Sequence, residues 1–352
     1  MKRVGVIGGG LTGLAAAWEL QRAGADAVVY ESEPRAGGVI VTERRDGFVI
    51  EGGPDGFLAA ESDVQGLARE LGIGDRVVDQ LAKGSFVWTG TQLQSLGTGE
   101  AAALLGIEGQ SESALSKGFR SFAGGMGELV DALMARLGPV VRTRSSVGAI
   151  VPAARGYRLE LPNSTAAEVA GVVCAVPAWV IARLVGALDV PPVAELENVP
   201  YAPSLTISLA YRQEQIGVPL EGTGFVTGAT VPGAVRACTY ASHKYPGRAP
   251  AGSVLLRAFL GPVEGDAPAV AHGELARILG IRAAPLWSAV FRWGRGLPRY
   301  PQNHAAQVAA VRARLGERPA LAIAGAGVDG SGLSACVASG RGAARAVLQR
   351  LG

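Results

Sequence analysis

Cysteine, histidine and methionine are each present only three times in the 352 residues. Cys174, Cys238 and Cys336 stand far apart and form no CxxC pair, which excludes a zinc knuckle and argues against a disulfide framework. A reducing, cytoplasmic setting is expected. His243, His272 and His304 are isolated, so no metal site is predicted. An excess of one charge is lacking too: the net charge is +3, and no run of Lys or Arg carries interleaved aromatics, so no nucleic-acid partner is expected. The longest uncharged apolar-rich run, residues 169–182, is shorter than the roughly 20 residues of a membrane span and is broken by Pro177. No transmembrane segment is expected, and the first strand begins within three residues of the N-terminus, leaving no room for a signal peptide. Neither a Ser-His-Asp nor a Cys-His constellation is present, so no catalytic side chain is predicted.

What the chain has in abundance is glycine: 51 residues, about twice ordinary usage. At that frequency roughly one GxGxxG pattern should arise by chance, and two occur, Gly8-x-Gly10-x-x-Gly13 and Gly325-x-Gly327-x-x-Gly330. Context separates them. Residues 4–7 form a short apolar run suited to a buried parallel strand, and Leu11, Leu14, Ala15 and Trp18 recur with helical spacing. Gly24 is a stop signal, and residues 27–30 form a second strand that ends at Glu31, 18 residues beyond Gly13. That spacing is near the roughly 20 residues that let a carboxylate accept from a ribose 2′-hydroxyl while the helix N-terminus takes the phosphates. The second pattern follows residues 321–324, but the chain ends too soon for another strand and acid. A dinucleotide cradle is therefore predicted at the N-terminus.

Two further glycine clusters follow, Gly37-Gly38 and Gly52-Gly53-Pro54-Asp55-Gly56. Each could be a simple turn. An NAD-dependent dehydrogenase would run from its second strand into another helix, whereas here the backbone is kept bare for a longer cofactor. Residues 60–71 read as an amphipathic helix, and 85–93 as a hairpin around Gly90. Residues 97–117 read as a loop with one short helix at 101–105, and 129–137 as a helix. Strands are predicted at 140–143, 147–151, 157–161 and 169–175. From Tyr201 the pattern turns to β segments at 205–211, 224–227, 235–240 and 253–260, a substrate platform with few helices. Helices at 269–279 and 305–315 flank a strand at 290–293 and a loop at 297–304. The last helix is predicted over 338–351, its N-terminus directed at whatever Gly330-Ser331-Gly332-Leu333 cradles. There it would favour negative charge on a reduced flavin by about 1 kcal/mol.

Several separated stretches together resemble the FAD-dependent protoporphyrinogen and coproporphyrinogen oxidases, within the wider amine oxidase-like flavoprotein superfamily. They are the first glycine turn with Glu31, Gly37 to Thr42, Asp46-Gly-Phe with Glu51-Gly-Gly-Pro54-Asp55, Ser121-Phe-Ala-Gly-Gly-Met126, Cys174-Ala-Val-Pro177-Ala, Leu297-Pro-Arg-Tyr300 with His304, and Gly325 through Gly340. The resemblance implies an α/β fold, with an FAD-binding Rossmann-like domain (1–84, 121–200 and 301–352) and a second α+β substrate domain on a mixed or antiparallel sheet (85–120 and 201–300). It implies FAD contacts at Gly8, Gly9, Gly10, Leu11, Thr12, Gly13, Glu31, Ser32, Gly38, Val39, Gly53, Pro54, Asp55, Gly56, Val147, Trp293, Ser331, Gly332 and Leu333. Val147 would meet the adenine through its backbone, and Trp293 would lie beside the isoalloxazine. The implied reaction removes hydride equivalents from a porphyrinogen, protoporphyrinogen IX or coproporphyrinogen III, and passes them to dioxygen, in haem synthesis.

Two departures bear on the substrate. The helical insertion that roofs the cavity and makes any peripheral membrane contact in that family is reduced here to about thirty residues. Some members also place an arginine just before the hairpin aromatic to hold a propionate, where this chain has Ser85 before Phe86. Lys83 and Lys117 are candidates to replace it, or are solvated surface lysines. A smaller substrate, as for an amine oxidase or a carotenoid desaturase-like enzyme, or a non-catalytic flavin-binding role, are the alternatives.

Overall fold

A computed structural model describes residues 2–104 and 111–352. The chain adopts a mixed α/β fold with parallel and antiparallel sheets. One sheet is wholly parallel, its five strands ordered Val141–Arg142, Asp26–Tyr30, Arg3–Ile7, Gly171–Cys174, Leu321–Ile323. The strand Arg3–Ile7 is central and buried from Val4 to Ile7, as a parallel strand covered on both faces requires. The helix Leu11–Arg22 buries Leu11, Leu14, Ala15, Ala16, Ala17 and Leu20. Its face is wide and alanine-rich because the C-terminal helix Leu333–Leu351 crosses it closely: a Cβ at Gly340 would lie 2.1 Å from the Thr12 carbonyl oxygen.

The larger sheet has seven strands, ordered Trp287–Pro298, Tyr201–Arg212, Ser253–Leu260, Val235–Tyr240, Gly224–Thr227, Ser85–Trp88, Leu93–Leu96. It is antiparallel except where Gly224–Thr227 runs parallel to Ser85–Trp88. One face packs on the helix Ala267–Leu279 through Ile207, Leu209, Val254 and Leu256. Ser208, Arg257 and Thr239 pair across the strands on the other face.

Several elements differ from the sequence pattern. The apolar stretch 169–175 is two strands: Ala166–Val169 belongs to an antiparallel three-stranded sheet and Gly171–Cys174 to the parallel one. The helix expected at 60–71 begins at Asp63. The strand expected at 290–293 runs from Trp287 to Pro298, its length set by pairing with Tyr201–Arg212. The stretch 97–117 carries two short helices, Glu100–Leu104 and Glu112–Ser116, and position 105 of the expected helix lies outside the described residues. The last helix starts at Leu333, five residues before the expected start. Gly332 is an extended N-cap, and the small residues that read as loop are buried against the first helix. Among the described residues no helix is long and apolar enough to cross a membrane.

Candidate functional site

The turn after Ile7 is shaped by glycines with different duties. Gly8 holds φ at 102°, and a Cβ there would lie 2.5 Å from the Ala175 carbonyl oxygen. A Cβ on Gly13 would lie 1.9 Å from the Gly8 carbonyl oxygen, so Gly13 is needed to bring helix onto strand. Gly10 is bare for another reason: a Cβ there would meet nothing nearer than the Gly38 Cα at 4.0 Å, and Gly10 lines a cavity of about 1570 Å³. As N-cap of the first helix it brings no side-chain acceptor to the first-turn amides, and no acidic residue stands in that turn. Free N–H groups and the positive end of the helix dipole are left at the cavity wall, a ready site for an anion.

Glu31 closes the turn. Gly9 N donates to its Oε2 at 2.6 Å, while Glu33 N and Ser32 Oγ donate to its Oε1 at 2.8 and 3.2 Å. The second glycine loop is tied to the first, Gly37 N donating to Gly9 O at 2.8 Å. Arg35 latches that loop by donating to the carbonyls of Ala36, Gly38 and Ile40. The third glycine cluster touches the second, since a Cβ on Gly53 would lie 1.8 Å from the Val39 carbonyl oxygen.

Buried charges lie under this third cluster. Glu51 accepts from Met126 N and Thr42 Oγ1, both at 2.7 Å, and lies 3.2 Å from Arg248 Nη1, an ion pair without hydrogen-bond alignment. Burial raises the Glu51 carboxyl above its ordinary value against the pull of Arg248. Burial also opposes ionisation of Asp55, but Lys244 at 2.9 Å, with Arg257 beyond it, outweighs this and holds its carboxyl below the ordinary value. Trp293 Nε1 donates to Gly52 O at 2.7 Å, which fixes the half-buried indole at the cavity wall.

Of the residues expected from sequence, Gly8, Gly10, Leu11, Thr12, Glu31, Ser32, Gly38, Val39, Gly53, Pro54, Asp55, Val147, Trp293, Ser331 and Leu333 all line this one cavity. Gly9, Gly13, Gly56 and Gly332 lie just behind it. Gly9 serves Glu31, Gly13 the helix packing, Gly56 the approach of Tyr245 Oη, 2.2 Å from where a Cβ would be, and Gly332 caps the C-terminal helix. His304 is buried away from the cavity lining, its Nε2 donating to Val328 O at 3.1 Å and its ring 4.9 Å from Tyr300, so it organises its own loop.

Residues 11–101 and 102–348 match the model of the flavin containing amine oxidoreductases. The chain belongs to that family. It is an FAD-dependent oxidoreductase. A coproporphyrinogen III oxidase of Bacillus subtilis is 23% identical, the alignment covering 97% of each chain. One from Propionibacterium freudenreichii is 27% identical over 97% of this chain and 90% of its own. The Bacillus alignment spans 457 positions against 352 residues here, so at least 105 of its positions have no residue in this chain. A provisionally named protoporphyrinogen oxidase from Exiguobacterium sp. 255-15 has the same fold, with a TM-score of 0.84 at 24% identity, 99% of each chain being covered.

The residues present fit FAD. Unacidic helix amides suit its pyrophosphate, Glu31 its ribose, and bare backbone at Gly10 and Gly38 its length, while the cavity exceeds the roughly 300–1,000 Å³ of an ordinary small-molecule site. Sequence reasoning missed the part of the cavity wall beside the third glycine cluster: Lys244, Thr239, Arg257 and Phe259. One signal was available, because Arg257 interrupts an otherwise apolar strand, Ser-Val-Leu-Leu-Arg-Ala-Phe-Leu.

Proposed function

We propose that the chain oxidises a porphyrinogen, coproporphyrinogen III before protoporphyrinogen IX, with dioxygen as final acceptor. The observation that carries the reading is the match over nearly the whole chain to enzymes named for coproporphyrinogen III. When bound, FAD accepts hydride equivalents from the substrate and passes the electrons on. The chain's own residues bind, orient and exclude water.

In this reading the first-turn amides at Leu11 to Gly13 hold the pyrophosphate, Glu31 the adenosine ribose, and Val147 the edge of the base. Gly38, Val39 and Gly53 to Asp55 line the path along which the cofactor extends. Trp293, locked by Gly52 O, walls the far end. The C-terminal helix starts at the cavity through Ser331 and Leu333, and its N-terminal dipole favours electron-rich cofactor there, by about 1 kcal/mol. Segments 1–84, 121–200 and 301–352 form the FAD-binding part, and 85–120 with 201–300 the substrate part. The shortened stretch still borders the cavity through Gly97 to Gly99, Ala101, Ala102 and Leu115 to Gly118, which supports a cover of reduced size.

Charge favours an acidic substrate over an amine. Among the described residues Lys83, Lys117, Arg183, Lys244, Arg257, Arg295 and Arg299 line the cavity against four carboxylates, Glu31, Glu33, Asp55 and Asp79, and Lys83 and Lys117 are exposed at it. Three free, buried thiols support a cytoplasmic setting. The test is porphyrin fluorescence produced by the flavin-loaded protein from coproporphyrinogen III and protoporphyrinogen IX in air. Formation above the spontaneous rate is expected, fastest with coproporphyrinogen III, and no excess over the spontaneous rate with either would reject the reading. Peroxide release with amines but not porphyrinogens would favour the smaller-substrate alternative.

A further inference from the structure

We infer that Arg257 receives a carboxylate of the substrate and so sets a preference for acidic over esterified ligands, an assignment that rests on the porphyrinogen reading above. Arg257 is 6% exposed on the strand Ser253–Leu260, yet it lines the cavity. Among the described residues its side chain makes no salt bridge and no hydrogen bond, and its Nε is buried without a partner. The nearby carboxylates are already taken, Glu51 by Arg248 at 3.2 Å and Asp55 by Lys244 at 2.9 Å. Three cations therefore face two anions, and of the two that line the cavity, Lys244 and Arg257, only Lys244 is paired. Phe259, two residues along on the same face, holds the guanidinium 4.8 Å from its ring centroid and orients it without neutralising it. Burial lowers the pKa of Arg257 against the opposing pull of Asp55 and Glu51, the mark of a cation short of a counter-ion.

The sheet register places this charge usefully. Arg257 pairs with Thr239, Thr239 with Gly224, and Gly224 lies one residue before Phe225, which pairs with Phe86. Arg257 and Ser85 thus stand on one transverse row, three strands apart, or about 14 Å at the usual strand spacing. Between them lie only a threonine and a glycine, and a flat ligand crossing that row meets its cation at Arg257. A buried, uncompensated cation costs stability, and an incoming carboxylate offsets that cost.

The test compares coproporphyrin III with its tetramethyl ester in binding to flavin-loaded wild type, Arg257→Gln and Arg257→Met, followed by porphyrin fluorescence. The wild type should bind the acid at least about tenfold tighter than the ester, the gain typical of a charge-assisted hydrogen bond. Both variants should lose that ratio through weaker acid binding, with ester binding within threefold of wild type. Arg257→Met should also melt no lower than wild type, because it removes an unpaired buried charge, whereas a merely structural arginine would leave it less stable. An intact acid preference in the variants, or a lowered melting temperature for Arg257→Met, overturns the inference. If the wild type binds neither porphyrin, the porphyrinogen reading fails and benzoate decides on Arg257. A flavin absorption shift in wild type that is lost in Arg257→Gln retains the carboxylate role, and its absence from wild type, or its persistence in the variant, ends it.

Discussion

Replacing Glu31 with glutamine tests the joint between the first glycine turn and the cofactor. The carboxylate accepts three hydrogen bonds, from Gly9 N at 2.6 Å, Glu33 N at 2.8 Å and Ser32 Oγ at 3.2 Å. A glutamine side chain of the same length offers one acceptor oxygen, and its NH2 must face a second N–H, donor against donor. At least one charge-assisted bond is lost, worth about 1.5–3 kcal/mol, and the Gly9 amide is at risk of burial without a partner. These bonds lie within the protein, so the loss is expected before any flavin is added. For a chain of this length about 2 kcal/mol corresponds to roughly 3 °C in melting temperature. Removing the proposed acceptor for the ribose and loosening the Gly9 turn should weaken FAD binding by a further factor of about 10–100, at 1.4 kcal/mol per decade. Thermal unfolding of the flavin-free protein and titration of FAD by quenching of its fluorescence read the two effects separately. A Glu31→Gln protein that melts within 1 °C of wild type and binds FAD within threefold would refute the reasoning. Gly9→Ala strikes the same bond, since its Cβ would lie 2.9 Å from Glu31 Oε2, so the double variant should cost clearly less than the sum of the singles.

Three other outcomes follow from the same geometry. Lys244→Met strips Asp55 of its main cation and should cost about 2–4 kcal/mol at pH 7, less than a fully buried pair because the partners are only partly enclosed. Since the Asp55 carboxyl is held below its ordinary value, its contribution is present above about pH 4 and is lost as pH falls through the folded value. Melting curves should therefore show the Lys244→Met deficit persisting down to about pH 4 and shrinking below it, and a deficit independent of pH would count against the pair. Gly340→Ala gains about 1 kcal/mol of helix propensity but drives a Cβ to 2.1 Å from the Thr12 carbonyl oxygen, so overpacking of about 1–3 kcal/mol should dominate. Lower stability with weaker FAD binding is expected, and a stabilised variant would show the two helices free to part. Burial pushes the Cys174 thiol up to about 12 and that of Cys336 to about 11, with Cys238 also raised. At pH 8 a thiol reagent should leave the native protein unmodified and label all three cysteines in denaturant, and fast native labelling would contradict their burial.

The cradle was legible because its physics is local. A four-residue apolar strand, glycines at fixed spacing and an acid one strand later leave the backbone few other conformations, and residues 8–31 fold as the pattern demands. The strands of the β platform were legible too, although Tyr201–Arg212 and Ser253–Leu260 are buried on both faces over most of their length. Less legible were the ends of elements. Leu333 to Val337 read as part of the glycine-rich cradle before the helix, and they became helix by packing against the alanine-rich face of Leu11–Arg22.

The sequence by itself pointed to a dinucleotide cradle, since phosphate and ribose recognition uses backbone amides and one carboxylate within a single βαβ unit. The charge balance around the third glycine cluster was decided only by the tertiary structure. Glu51, Asp55, Lys244, Arg248 and Arg257 are spread over two hundred residues and meet where the third glycine loop packs on the larger sheet. Whether a buried arginine is neutralised or left to bind a ligand depends on which carboxylates its neighbours have claimed, and Coulomb interactions at a few ångströms are fixed by packing, not by order along the chain.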